Sequence, residues 1–359
     1  MKVKIEVENT LSDELAVTLD NLCKYSNVPK INIESRFLKT FNKYLIEEWT
    51  PLFIKIIDEE TNQVLGVFPL MHKTIYRKKN FPYKTLKFFA STFSDFQDIY
   101  ANSIHRDLVI RESLTWLFKG PFKWQELIVD DLLESTKIIQ LIEKYTVEKV
   151  LSYTLKKGKY FYINLEQPWE EVKKNTSKSF VWKNVRLAKN RITKAGQWNF
   201  EFNPDIDVNE IIERVKPIHS ARQNYLERVS RITTKNGEAA YKEVIEYYKL
   251  NNEFDTYWLK FEDTYIAYML GFHIDHVFYW WNTSFLPEYK DFYPTRLLQY
   301  NVIDFMHNNG YKEFNFMRGE SGYKDKWTNT TRVNYRLRIY NNKTIYGKFL
   351  AIFDKNFRR

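Results

Sequence analysis

Apolar and polar positions change period several times along the 359-residue chain, most clearly in its second half. Residues 254–261 (FDTYWLKF) alternate as a half-buried strand does, and Glu262-Asp263 supply a tight turn. Residues 265–273 (YIAYMLGFH) predict a second strand, and Ile274-Asp275 another short turn. The third strand, 276–283 (HVFYWWNT), is almost continuously apolar, as a strand buried on both faces is. After a loop containing Pro287 and Pro294, residues 296–307 place Leu297, Leu298, Val302, Phe305 and Met306 at helical spacing. Gly310 suits the position just past a helix end. A short strand at 313–317 (EFNFM) breaks at Arg318-Gly319. The order predicts an antiparallel meander whose crossover helix adds one parallel strand.

The first half echoes this order more weakly. Residues 52–58 and 64–71 read as a hairpin around the polar turn Asp58–Asn62, and 84–90 (KTLKFFA) as a third strand. A helix is expected over 106–118, with Leu108, Val109, Leu114 and Leu117 inward, and a returning strand at 125–130 (QELIVD). The fold class that follows is α/β (α+β), with two similar domains in tandem. Each would be a mixed, mostly antiparallel sheet flanked by helices, residues 1–160 forming one and 161–359 the other. The duplication rests on element order, since no residue-level identity links the halves.

Between them lies 169–196, read as an amphipathic basic helix closed by Gly196. From Val172 to Phe200 there is no acidic residue, against eight basic ones that include Lys183, Arg186 and Arg191. Phe180, Val181, Val185, Leu187, Ala188 and Ile192 supply its apolar side. Two readings stand: a solvated connector, or an anion-facing rim for a phosphorylated ligand.

Composition narrows the classes. Hydrophobic residues make up 44% and charged residues 28%, with 10 Gly and 10 Pro, which excludes collagenous and disordered chains. Cys23 is the only cysteine, so no disulfide framework or zinc cluster is available. The charged start, MKVKIEVENTLSDELAV, lacks an apolar leader core, and no run nears the roughly 18 apolar residues that span a bilayer. These features predict a cytoplasmic location. Fifty-five Lys and Arg against 45 Asp and Glu give a net charge of +10, which favours anionic partners. The 17% aromatic content fits stacking platforms or a simple compositional bias.

Nucleotide loops of the Walker or GxGxxG kind, HExxH and GxSxG are all missing. Ser321-Gly322-Tyr323-Lys324 matches SxxK without its partner motifs, and the six histidines show no metal-ligand spacing, so no metal is expected. The segment 310–327 (GYKEFNFMRGESGYKDKW) stands out because Arg318, Gly319, Glu320, Tyr323 and Lys324 follow a strand end directly. Strand ends beside a crossover helix are where such folds assemble ligand sites. Arg318 and Lys324 are candidate phosphate contacts, and Tyr323 a proton donor to a leaving group. A polar loop holding a structural Arg–Glu pair is the alternative.

This segment resembles the C-terminal motif of GNAT-superfamily acyltransferases of the CelD/BcsL type. PLMHK at 69–73, Ser94-Asp95-Phe96 with Asp98, and the basic helix match in the same order. The family is similar to the Fem-type transferases, built as two GNAT-like domains. The resemblance implies acyl transfer from an acyl-coenzyme A cosubstrate to an amine, with the first domain on the acceptor side and the second on the acyl-CoA side. It puts Trp280, Trp281 and Asn282 of the third strand against the pantetheine, and Thr295, Arg296 and Leu297 at the helix start against the pyrophosphate. Tyr323 would protonate the departing thiolate, with Asp95 as the base and Asp98 and Glu320 in reserve. Lys183, Arg186 and Arg191 would receive the substrate. Thr295 departs from the glycine usual in the family at that point, which makes close backbone approach to a phosphate harder.

The acceptor implied is a small amino sugar, nucleotide-linked, in surface-glycan biosynthesis, as in the anthrose pathway. One alternative is a Fem-type transferase that uses aminoacyl-tRNA on a cell-wall precursor. Another is a nucleic-acid binding module, although no RRM, helix-turn-helix or KH signature is visible.

Overall fold

The computed structural model describes residues 1–77, 81–146, 150–175, 180–319 and 322–357. The chain begins with β1 (Val3–Glu8), α1 (Asp13–Cys23), α2 (Ser35–Tyr44), β2 (Thr50–Asp58), β3 (Val64–Arg77) and β4 (Phe81–Phe88). It continues with β5 (Tyr100–Ala101), α3 (Arg106–Lys119), β6 (Glu126–Leu133), α4 (Ile138–Thr146) and β7 (Val150–Asn164). Then come α5 (Trp169–Asn175), α6 (Phe180–Ala195), β8 (Trp198–Phe202), α7 (Val208–Tyr225), α8 (Lys235–Leu250) and β9 (Phe254–Phe261). The last elements are β10 (Thr264–Ile274), β11 (Val277–Phe285), α9 (Pro294–Asn308), β12 (Glu313–Asn315), α10 (Lys324–Trp327), β13 (Thr331–Asn341) and α11 (Ile345–Phe357). They divide into two compact units, residues 1–158 with 333–359, and residues 159–332.

In the first unit the β2–β3 turn is set by Asp58, whose carboxylate accepts from the amides of Glu60 and Thr61. Asn62 then takes the left-handed conformation (φ 56°) that asparagine tolerates better than most residues. β1, β2, β3 and β4 pair antiparallel in sequence order, and β6 lies parallel to β4 through Thr85↔Glu126 to Lys87↔Ile128. The crossover is α3, which buries Val109, Ile110, Leu114 and Leu117 among Leu52, Ile54, Phe68, Leu86 and Leu127. Toward the other face, Phe41 of α2 meets Phe89 edge-on and Phe37 stacks on Phe93.

Residues 333–359, expected with the second domain, group with the first. β13 pairs antiparallel with β6, and its Leu337 and Ile339 join the core under α3. Asn341 fastens the strand end by donating to the Trp124 carbonyl at 3.1 Å. Burial of these apolar side chains outweighs nearness in sequence.

The second unit runs β7–β12–β11–β10–β9–β8. Among the described residues of this unit only the β11–β12 pair is parallel, and α9 is the crossover between those strands. Residues Tyr162–Asn164 of β7 pair antiparallel with β12. α6 and α9 share one apolar core with the sheet, through Val181, Val185, Ala188, Leu298, Val302 and Met306. α7 and α8 cover the opposite face, where Tyr248 meets Phe272 and Arg214 lies over Trp258. The single helix expected over 169–196 is two, α5 and α6, and residues 176–179 between them lie outside the described residues. Leu187, expected on the apolar side, is exposed. Each unit is therefore a mixed, mostly antiparallel sheet flanked by helices, the fold class expected.

Candidate active site

Strand length opens the sheet. β12 pairs with β11 only from Val277 to Tyr279, where Tyr279 faces Asn315. From Trp280 onward, among the described residues, β11 continues against β10 alone, so its other edge is without a strand partner. A β-bulge falls at the same place: Leu270 pairs with Asn282 and Gly271 with Trp280, leaving Trp281 as the extra residue. Gly271 is required for this geometry. A Cβ there would come within 2.2 Å of the Phe278 ring and 2.6 Å of the Tyr279 carbonyl oxygen.

A cleft of about 330 Å³ is lined by Trp280, by Tyr323 and by Thr295 at the start of α9. Three cations line it as well: Arg222 from α7, Lys290 from the loop before α9, and Arg296. Arg222 lies 4.5 Å above the Phe285 ring, which fixes its direction. Burial pulls the Arg296 guanidinium below its ordinary pKa, so its charge is disfavoured there and a bound anion would compensate it. Arg222 and Lys290 escaped the sequence reading, because each is one basic residue among many and only folding brings them to the cleft.

The helix start is unusual. Tyr293 is left-handed (φ 51°), a costly conformation for a bulky residue. Its ring is held by Arg191 at 5.4 Å and Arg296 at 4.8 Å. Pro294 has no N–H, and the Arg296 and Leu297 amides both donate to the Tyr293 carbonyl, at 3.0 and 3.1 Å. The helix therefore offers the cleft mainly the amide and hydroxyl of Thr295. Leu297 is a core residue whose side chain never reaches the cleft. Arg191, expected to bind substrate, also donates to the Asp291 carbonyl at 3.0 Å and so braces the loop before α9. Lys183 and Arg186 are exposed on α6.

Two further expectations are corrected by the bulge. Trp281 stacks on Tyr241 of α8 with ring centroids 4.6 Å apart, and Asn282 donates to the Tyr241 hydroxyl at 3.2 Å. Two consecutive residues thus reach the same side chain, on the face of the sheet away from Trp280, and neither lines the cleft.

The loop after β12 behaves differently from a phosphate site. Lys324 is buried, and its ammonium donates to the carbonyls of Phe316 (2.8 Å), Met317 (3.2 Å) and Arg318 (2.7 Å). Its charge clamps a turn in which Met317 (φ 54°) and Gly319 (φ 100°) are both left-handed, so it is no phosphate contact. Arg318 is half-buried, and Glu320 lies outside the described residues. Tyr323 is 40% exposed, and its ring stands edge-on to Trp280.

Asp98 and Asp95 belong to the first unit. Asp98 is buried, and its carboxylate accepts from Ser26 Oγ (2.6 Å), the Asn27 and Ile99 amides (3.2 and 2.8 Å) and Arg106 (2.5 and 3.3 Å). With both oxygens so occupied it is an anchor, not a reserve base. Arg106 opens α3, so the crossover helix of this unit spends its first cation on the chain's own carboxylate. Asp95 is half-buried, and its amide donates to Asn32 Oδ1 at 3.0 Å. Among the described residues no group of three His, Cys, Asp or Glu side chains is arranged to hold a metal.

Comparison with known proteins agrees with this architecture. Residues 179–325 match the family described as the acetyltransferase (GNAT) domain. No curated protein matches the chain in sequence. Among solved structures, FemX is similar at 11% identity over 95% of this chain and 98% of that chain, with a TM-score of 0.60. L-PGS from Bacillus licheniformis is similar at 12% identity over 96% and 97%, TM-score 0.53. A conserved protein of unknown function from Bacteroides thetaiotaomicron shows 8% identity over 94% and 100%, TM-score 0.54. At these identities the likeness is one of fold. Residues 179–325 thus match the GNAT acetyltransferase domain family, in a chain whose fold is similar to that of FemX.

Proposed function

We propose that the protein is an N-acyltransferase that moves an acyl group from an acyl-coenzyme A thioester to the amino group of a nucleotide-linked amino sugar. The second unit is the donor side and the first the acceptor side. One observation carries this reading: the edge of β11 from Trp280, which no strand pairs among the described residues, runs into a cleft that also holds Tyr323 and three cations. An extended pantetheine arm would take the edge N–H and C=O groups as a strand does. An N–H there would hold the oxyanion of the tetrahedral intermediate. Arg222, Lys290 and Arg296 would take the phosphates, with Thr295 adding one amide and one hydroxyl.

The amine lone pair attacks the thioester carbon, the C–N bond forms, and the C–S bond breaks. Tyr323 gives its proton to the departing thiolate, and Asp95 takes the proton that the amine loses. The test is to incubate the protein with acetyl-coenzyme A and a panel of free and nucleotide-linked amino sugars. Release of free thiol together with an acetylated product supports the reading, and its absence across the panel refutes it.

One feature favours a second reading. Pro294 and the inward-turned amides of Arg296 and Leu297 leave few backbone donors for a diphosphate, so a donor gripped by side-chain cations fits as well. In that reading the donor is an aminoacyl-tRNA, as in Fem-type transferases. Transfer of a radiolabelled aminoacyl group from charged tRNA, with no thiol release from acetyl-coenzyme A, would select it.

A further inference from the structure

Helix α11, in the first unit, is apolar on two sides. Its inward side buries Leu350 and Ala351 in a small cluster with Tyr340, against which Tyr83 packs. Its outward side carries Ile345 (84% exposed), Tyr346 (42%), Phe349 (60%) and Ile352 (62%). Ile345, Phe349 and Ile352 recur at i, i+4 and i+7, which makes one stripe along the helix. Lys348 is exposed at the edge of that stripe. Within α11 the sequence has Lys348 and Lys355 against Asp354, a small positive surplus in a chain of net charge +10.

We propose that α11 seats the protein on an anionic lipid surface, with the stripe in the headgroup–acyl boundary and Lys348 at the phosphates. A basic amphipathic helix with large apolar side chains facing outward is the form that binds such an interface. Among the described residues no helix is long and apolar enough to cross a membrane, so the contact is peripheral. Two arguments disfavour a second copy of this chain as the occupant. A standard protein interface draws about 20–30 residues from each side, whereas this stripe supplies four large side chains. Self-pairing would also set the two basic helices against each other.

The inference stands apart from the donor and acceptor assignments, because its readout is binding to vesicles. The full chain is sedimented with vesicles of phosphatidylcholine alone, and with vesicles containing phosphatidylglycerol as well. Binding is expected only to the anionic vesicles, and it should weaken as salt is raised. The double substitution Phe349→Ser with Ile352→Ser, at exposed positions, should keep the melting temperature and weaken vesicle binding by about tenfold or more. Should that variant fold poorly, Lys348→Glu serves in its place and should lower binding to anionic vesicles. Absence of binding by the unmodified chain, or equal binding by the folded variants, overturns the proposal. So does a solution dimer that the double substitution converts to monomer without any vesicle binding.

Discussion

The Tyr323 ring stands edge-on to Trp280, with centroids 5.9 Å apart and planes at 67°. Trp280 is the residue at which β11 loses its β12 partner, so the phenol is held where the sheet opens. Tyr323→Phe keeps the ring and its edge contact while removing the proton. It should lower kcat by roughly 10²–10⁴-fold, as loss of a general acid does, with the melting temperature unchanged. Unchanged kcat with good folding would remove Tyr323 from the mechanism.

The two aspartates after β4 should separate cleanly. Asp98→Asn breaks a buried ion pair with Arg106 and is expected to cost about 3–5 kcal/mol in chemical denaturation. Asp95→Asn should lower kcat while the protein still unfolds cooperatively. The reverse pattern would return the base to Asp98.

Lys324→Met tests the clamp on the turn after β12. Three carbonyls lose a charged donor, and a loss of about 3 kcal/mol is expected. If Lys324 held a phosphate instead, the same variant would raise KM for the donor and leave stability near that of the unmodified chain.

Two histidines should tilt stability in opposite directions with pH. Burial, helped by the nearby Lys84 charge, pulls His72 down from 6.5 to about 4. Its contribution is present above the unfolded value and is lost as pH falls from about 6.5 toward 4. The Asp255 carboxylate, with an oxygen 3.0 Å from Nδ1, raises His273 above 6.5. That contribution is present below 6.5 and is lost as pH rises through the raised value. Denaturation curves from about pH 4 to 8 should lose their acid slope in His72→Gln and their neutral-to-basic slope in His273→Gln. Identical slopes in all three proteins would contradict both assignments.

The strands of the second unit were legible because long aromatic and β-branched runs meet at short polar turns, as at Glu262-Asp263. Tyr323, Thr295 and Arg296 were legible as residues just beyond a strand end or at a helix start. Other positions depend on contacts that no local pattern carries. The strand-forming run of β13 gives no sign that its partner is β6, some two hundred residues earlier, where Asn334 faces Leu133. A lysine in a glycine-containing loop reads as an anion contact until three carbonyls are seen around it. Trp281 and Asn282 were misplaced because three consecutive residues were set against one ligand: alternation alone turns Trp281 away from Trp280, and the bulge at Gly271 turns Asn282 the same way.

In the proposed function the second unit binds an acyl-coenzyme A along the edge of β11. The most direct measurement is a thermal-shift titration with coenzyme A and acetyl-coenzyme A, run beside charged tRNA at low and high salt. At 100 times its Kd the cofactor should stabilise the fold by roughly 2.7 kcal/mol, and Arg222→Ala should reduce the shift. No shift with either coenzyme A form, together with a salt-sensitive shift from charged tRNA, would contradict the claim.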